Sequence, residues 1–277
     1  MTPRLVREYD KLQHRRSVLD LPGPVGKVHP VPEAVEWTDH PPHRPGRQVD
    51  AVLFDFHGTL AQVEDPVRWV RQAALTCGHD LDRGRATVLA DRLVTAGRAG
   101  GPLPHRVPPH LAEHWAARDL YAESHRAAFT GLAASVATGV DGLAEALYER
   151  LLDADGWLPY PDTGPTLRTL HEAGIKVAVV SNIGFDIRPH FAAWGLDGLV
   201  DAYALSYEVG RTKPDPGIFL RACGMLGADP ERTLMVGDTP ADAGAVRAGL
   251  AALVLPAAEP GRPNGLGATL ALAGCAA

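Results

Sequence analysis

The stretch Ala51-Val52-Leu53-Phe54-Asp55-Phe56-His57-Gly58-Thr59-Leu60 decides how the rest of the chain is read. Its first four residues are apolar without alternation, the pattern of a strand covered on both faces. Asp55 ends the run, and Gly58 lets the backbone turn closely after it. Strands covered on both faces belong to parallel sheets, whose ligands gather beyond the carboxyl ends of the strands.

Working outward, short apolar runs recur at 176–181, 202–206, 233–237 and 251–255, each bounded by Gly, Pro, Asp or Asn. Helical periodicity lies between them, at about 163–173, 187–194, 216–226 and 241–248. This alternation predicts an α/β fold, a Rossmann-like parallel sheet with helices on both faces. Between the first two runs lie about 100 residues of mostly helical signal, at 66–77, 85–96, 109–129 and 142–152, far too long for a simple crossover. The expectation is a core of residues 50–60 and 161–277, with a helical cap inserted at 61–160. Residues 1–49 hold eight prolines and mixed charges with little periodicity, and read as an N-terminal arm that Val35 and Trp37 could anchor.

Composition narrows the function classes. Of 277 residues, 45% are hydrophobic, as in a globular core, and the net charge of −6 predicts no general attraction to nucleic acid or anionic membrane. No apolar run approaches membrane-spanning length, and the charged N-terminus has no signal-peptide core. Cys77, Cys223 and Cys275 fit neither a disulfide framework nor a zinc site, so a cytoplasmic protein is expected. Oligomeric state is not legible.

The strand ends carry the chemistry. Asp55 ends the first run and Ser181-Asn182 the second. Gly210-Arg211-Thr212-Lys213-Pro214 follows the third, and Gly237-Asp238-Thr239-Pro240-Ala241-Asp242 ends the fourth. Clustered carboxylates invite a hard divalent cation, and Mg²⁺ there would offset the charge of a phosphate. Lys213 adds a positive charge for phosphoryl oxygens and Ser181 a hydrogen bond. Asp55 is then free to attack phosphorus and form an aspartyl-phosphate that water hydrolyses. Gly58 and Thr59 would surround the substrate, Thr59 chiefly by supporting the loop. Asn182 reads equally as substrate contact or turn residue. Asp242 could ligate the ion directly, act through Lys213 or water, or favour a helix dipole.

Over about residues 50–256 the chain resembles the haloacid-dehalogenase superfamily. Asp55 through Thr59 resembles its first motif, Ser181 its second, Lys213 its third, and Asp238 with Asp242 its acidic fourth. The resemblance implies a Mg²⁺-dependent site of Asp55, the backbone carbonyl of residue 57 and the acidic pair, with the cap between the first two motifs. Family phosphatases carry a second Asp where this chain has His57. An imidazole titrates near 6.5 and is competent as acid or base. Three roles are open for it: acid/base catalyst, substrate-positioning donor, or a replacement that has ended turnover. The leading function is hydrolysis of a phosphate monoester of a small metabolite. Alternatives are a carbon–halogen hydrolase, a non-catalytic binding protein, and phosphotransfer to an acceptor other than water. In the cap, His105, Arg106, His110, His114, Trp115, His125 and Arg126 read as surface or pocket lining rather than a metal site. Arg68 and Trp69 face either substrate or packing.

Overall fold

The computed structural model describes residues 49–275. The arm expected at 1–49 therefore lies, but for Val49, outside the described residues. Strands β1 (Ala51–Phe54) and β2 (Ala61–Val63) precede five helices, α1 (Pro66–Thr76), α2 (Arg83–Ala96), α3 (Ala112–Ala117), α4 (Ala122–Ala134) and α5 (Leu143–Leu152). Then come β3 (Trp157–Pro159), α6 (Thr163–Glu172), β4 (Lys176–Ser181), α7 (Arg188–Ala193), β5 (Ala202–Leu205), α8 (Ser206–Val209), α9 (Pro216–Leu226), β6 (Thr233–Gly237), α10 (Pro240–Ala243), β7 (Ala251–Val254) and α11 (Gly267–Leu272).

Five strands form a parallel sheet in the order β5-β4-β1-β6-β7. β1 is central, with Phe54 beside Val179 of β4 and Val236 of β6, and all four of its residues are fully buried. Because side chains alternate across a strand, Val52 and Phe54 enter one apolar layer with Leu167, Leu170 and Phe191. Ala51 and Leu53 enter the opposite layer with Ile218, Phe219 and Met235. Two-sided burial explains why β1 is apolar throughout.

The helices between β2 and β3 build their own apolar cluster around Trp69, Val70, Leu93, Leu143 and Leu147. The antiparallel pair β2–β3, with Gln62 opposite Leu158, joins them to the sheet. Asp65 starts α1 by accepting from the Val67 and Arg68 amides at 3.0 Å, with Pro66 in the first turn. Asp82 caps α2 and Asp215 caps α9 in the same way.

Two local expectations are corrected. The helix expected over 109–129 is broken. A 3₁₀ turn at Pro109–Leu111 precedes α3, and the chain leaves helical geometry before α4 at Tyr121, where φ is −138° and ψ 129°. Arg118 covers the end of α3, its Nη1 donating to the Trp115 carbonyl at 2.7 Å and its guanidinium lying 4.1 Å from the Trp115 ring. The helix expected over 241–248 is α10 followed by a 3₁₀ turn, Gly244–Ala248. Gly244 packs so closely on Pro214 that a Cβ there would stand 2.6 Å from the Pro214 Cβ. β2, β3 and α11 carry too few residues for periodicity to reveal.

Candidate active site

The carboxyl ends of β1 and β6 and the loop after α8 bring Asp55, Asp238, Asp242 and Lys213 together. Lys213 Nζ lies 2.7 Å from Asp55 Oδ1 and 2.7 Å from Asp242 Oδ1. Asp55 Oδ1 also accepts from the Phe56 amide at 2.7 Å, which leaves Oδ2 as the oxygen outside these bonds. Asp242 Oδ2 accepts from the Thr239 amide at 3.0 Å and the Thr239 hydroxyl at 2.7 Å, closing a capping box at the start of α10. Both Asp242 oxygens are thus engaged, which favours the route through Lys213 among its expected roles.

Oxygens of Asp55, Asp238 and Asp242 all lie within 4.8 Å of one another. Three carboxylates cluster near one ammonium, two of them in contact with it, an excess of negative charge in a buried setting. Burial raises the pKa of Asp55, Lys213 pulls it down and Asp242 pushes it up, with a net rise. Asp238 is pushed up to about 7 by burial and then by the charges of Asp55 and Asp242. Burial alone would lower Lys213, but the two carboxylates outweigh it and hold the ammonium form. Asp238 Oδ1 is buried with no hydrogen-bond partner among the described residues. A buried carboxylate oxygen without a donor is costly. A hard divalent cation fits this donor set on both counts.

The loop after β1 is built around that oxygen set. Gly58 has φ +80°, and a Cβ there would collide with the Asp238 carboxylate. The carbonyls of Gly58 and Thr59 accept from Asn264 Nδ2 at 3.0 and 2.9 Å. Asn264 is held in turn by the Ala258 amide and by Asp162. The Thr59 hydroxyl is buried without a partner, so the loop's support comes from the Thr59 carbonyl rather than its side chain. Nothing near Asn264 in sequence marks it as a loop support.

His57 departs from the sequence expectation. Burial, and then the charge of Arg98, push its pKa down to about 4, against a pull upward from the Gly100 carbonyl. The ring meets Trp157 edge-on at 5.7 Å. At neutral pH the imidazole is therefore neutral in the free protein.

Beside His57 opens a cleft of about 210 Å³ between the sheet and the helical insertion. Ser181 and Asn182 line it from the sheet side, and Arg98, Trp115, Arg118 and Asp119 from the insertion. Asn182 has its side-chain amide on the Lys213 backbone, with Nδ2 donating to the carbonyl at 3.0 Å and Oδ1 accepting from the amide at 2.7 Å.

Of the remaining residues marked in the insertion, His125 also lines this cleft and the others are placed elsewhere. His125 is buried against Tyr148 (Nδ1 to hydroxyl 2.8 Å), and Arg126 pairs with Glu145 and Glu149 on the surface. His114 reaches Ser124 at 3.4 Å, and His105, Arg106 and His110 are exposed. Arg68 pairs with Glu64 at 3.1 Å, and Trp69 is packed with its indole N–H on the Leu147 carbonyl. Sequence reasoning missed Arg98 and Glu64. Glu64 is 1% exposed and takes a two-pronged bond from Arg150 at 2.6 and 3.0 Å.

Among relatives, the glyceraldehyde 3-phosphate phosphatase of Methanopyrus kandleri is 38% identical over 81 residues, 29% of this chain and 35% of that protein. The phosphoglycolate phosphatase of Aquifex aeolicus is 39% identical over 85 residues, 30% of this chain and 40% of that protein. The chain thus spans well under two thirds of the length of these relatives. A solved structure described as a dehalogenase superposes with a TM-score of 0.54 at 23% identity, covering 81% of this chain and 96% of that one, a likeness of fold. A family model for haloacid dehalogenase-like hydrolases matches residues 49–249, spanning all four strand-end motifs, and the chain belongs to that family.

Proposed function

We propose that this chain is a Mg²⁺-dependent hydrolase of the phosphate monoester of a small metabolite, acting through an aspartyl-phosphate on Asp55. The observation that carries this reading is the buried line Asp55–Lys213–Asp242 beside the unpartnered Oδ1 of Asp238. The phosphatase names of the relatives support it. Residues 61–160 serve as its cap. Among the described residues no helix is long and apolar enough to cross a membrane.

Asp55, Asp238 and the backbone carbonyl of His57 would hold Mg²⁺, with Asp242 acting through Lys213. When bound, the ion offsets the charge of the phosphate and keeps Asp55 ionised. Asp55 Oδ2 attacks phosphorus and the ester P–O bond breaks. Lys213 and Ser181 stabilise the phosphoryl oxygens, Gly58 and Thr59 surround them, and Asn182 holds Lys213 in line. The leaving oxygen takes a proton from His57. Water then attacks phosphorus, its proton passes back to His57, and the Asp55–phosphate bond breaks to release inorganic phosphate. His57 is neutral in the free protein, so this role requires the negative charge of the bound ester to draw a proton onto the ring.

Hydrolysis of p-nitrophenyl phosphate tests the reading. Turnover is expected with Mg²⁺, and it should vanish in excess chelator and in Asp55→Asn. Full turnover in chelator would remove the metal. Cleavage of haloacids in chelator, with no phosphatase activity, would replace the reading by carbon–halogen hydrolysis.

A further inference from the structure

Arg98 sits in the loop after α2, and its burial has no counterpart in the catalytic scheme. The residue is 6% exposed and lies over the Trp69 ring, Cζ to centroid 4.3 Å. Its Nε is buried and unpartnered, and among the described residues the guanidinium has no hydrogen bond or ion pair. Burying a cation without a partner is expensive, so such groups normally meet an anion.

The nearby carboxylates do not supply one. Glu64 is already committed to Arg150 and Arg68. Asp65 is committed to the start of α1. Both act on Arg98 only through space, and burial still pushes its pKa down to about 10. Asp119, the carboxylate that shares the cleft, faces Arg118 at 3.3 Å. Arg118 is thereby paired, and Arg98 is left as the cleft cation with no ion pair among the described residues.

The loop is shaped to hold Arg98 at the cleft. Gly97 has φ +128°, and a Cβ on it would stand 2.8 Å from Leu132 Cδ1. Gly100 has φ +70°, and a Cβ on it would stand 2.7 Å from Val63 Cγ1 and 3.2 Å from His57 Nε2. The loop therefore lies directly on the residue assigned above to the leaving oxygen. Arg98 lines the same cleft as His57 and Ser181. At about 210 Å³ the cleft is smaller than a typical drug-sized pocket, generally about 300 Å³ or more.

We infer that Arg98 binds a second anionic group on the substrate's leaving group, so that the preferred substrates are short phosphate esters carrying a carboxylate or a second phosphate. The inference rests on the phosphate-ester reading, and it is tested by binding rather than by turnover. Three unreactive phosphonates are compared by calorimetry with Mg²⁺ present: 3-phosphonopropanoate, propane-1,3-diphosphonate and the neutral amide 3-phosphonopropanamide.

The wild-type protein should bind at least one of the two doubly anionic compounds about 10- to 100-fold more tightly than the amide, the scale of a charge-assisted hydrogen bond. Whichever binds better identifies the second anion as carboxylate or phosphate. Arg98→Met should erase that ratio and Arg98→Lys should restore part of it. A wild-type ratio within threefold, a ratio that survives in Arg98→Met, or no binding of any of the three would overturn the inference. Should Arg98→Met fail to fold, the wild-type ratio alone decides. Loss of p-nitrophenyl phosphate turnover bears on the hydrolase reading and leaves these ratios measurable.

Discussion

Asn182 holds Lys213 by both faces of its side-chain amide, at 3.0 and 2.7 Å, across 31 residues of sequence. The bonds fall on the backbone of Lys213, so Asn182 sets where the ammonium can reach. Lys213→Met should lower kcat/KM by about 10²–10³, the usual cost of losing one preorganised electrostatic group. Asn182→Ala should lower kcat by about 10-fold with KM little changed, since the lysine stays but wanders. Steady-state kinetics on one aryl phosphate measures both. An Asn182→Ala loss confined to KM would instead place Asn182 on the substrate.

His57→Ala separates catalysis from scaffolding. Alkyl phosphates need their leaving oxygen protonated, so they should slow by about 10²–10⁴. p-Nitrophenyl phosphate leaves readily and should slow far less. An equal loss with both would reduce His57 to an anchor for the loop at Gly100.

Gly100→Ala tests how closely that loop must approach the sheet. The added methyl would meet Val63 and His57 at a φ of +70° that side chains disfavour. Strain and overpacking together should cost about 2–4 kcal/mol. Gly139→Ala is the control: its φ is +68° but nothing lies within 4 Å of the added atom, so only the backbone cost of about 1–2 kcal/mol is expected. Urea midpoints of the two variants should differ accordingly, and equal midpoints would mean that the contact is relieved by loop movement.

His125 should make stability depend on pH. Burial, and then the charge of Arg118, push its pKa down to about 3. In the unfolded chain it returns to about 6.5. The folded form thus binds fewer protons between these values. Its contribution is complete above about pH 6.5 and is lost as pH falls toward 3, by up to about 1.4 kcal/mol per pH unit. His125→Gln, which can still bond Tyr148, should lessen the loss of urea stability between about pH 6.5 and pH 4.5 relative to wild type, while His57 and His190, pushed down, and Asp55 and Asp238, pushed up, keep their own shares in both proteins. An unchanged slope would show that His125 is not protonated on unfolding in that range.

The strand-end residues were legible in sequence because their signals are local. A strand covered on both faces must be apolar, as at Ala51–Phe54, and a charged residue at its end stands out. Asp55, Ser181, Lys213, Asp238 and Asp242 could be named from the strand ends and the loops that follow them, and the parallel sheet implied that they meet. Tertiary structure decided the rest, because the deciding partners are remote in sequence. Asn264 supports Gly58 from 206 positions away. Gly97-Arg98-Ala99-Gly100-Gly101 reads as an ordinary exposed loop until Trp69 and Leu132 close over it. The break between α3 and α4 left the helical pattern intact, since the backbone turns extended at Tyr121 with no Gly or Pro to mark it. His57 kept its place in the motif but lost its ordinary titration, because desolvation and a neighbouring charge are properties of an assembled environment and leave no trace in local sequence.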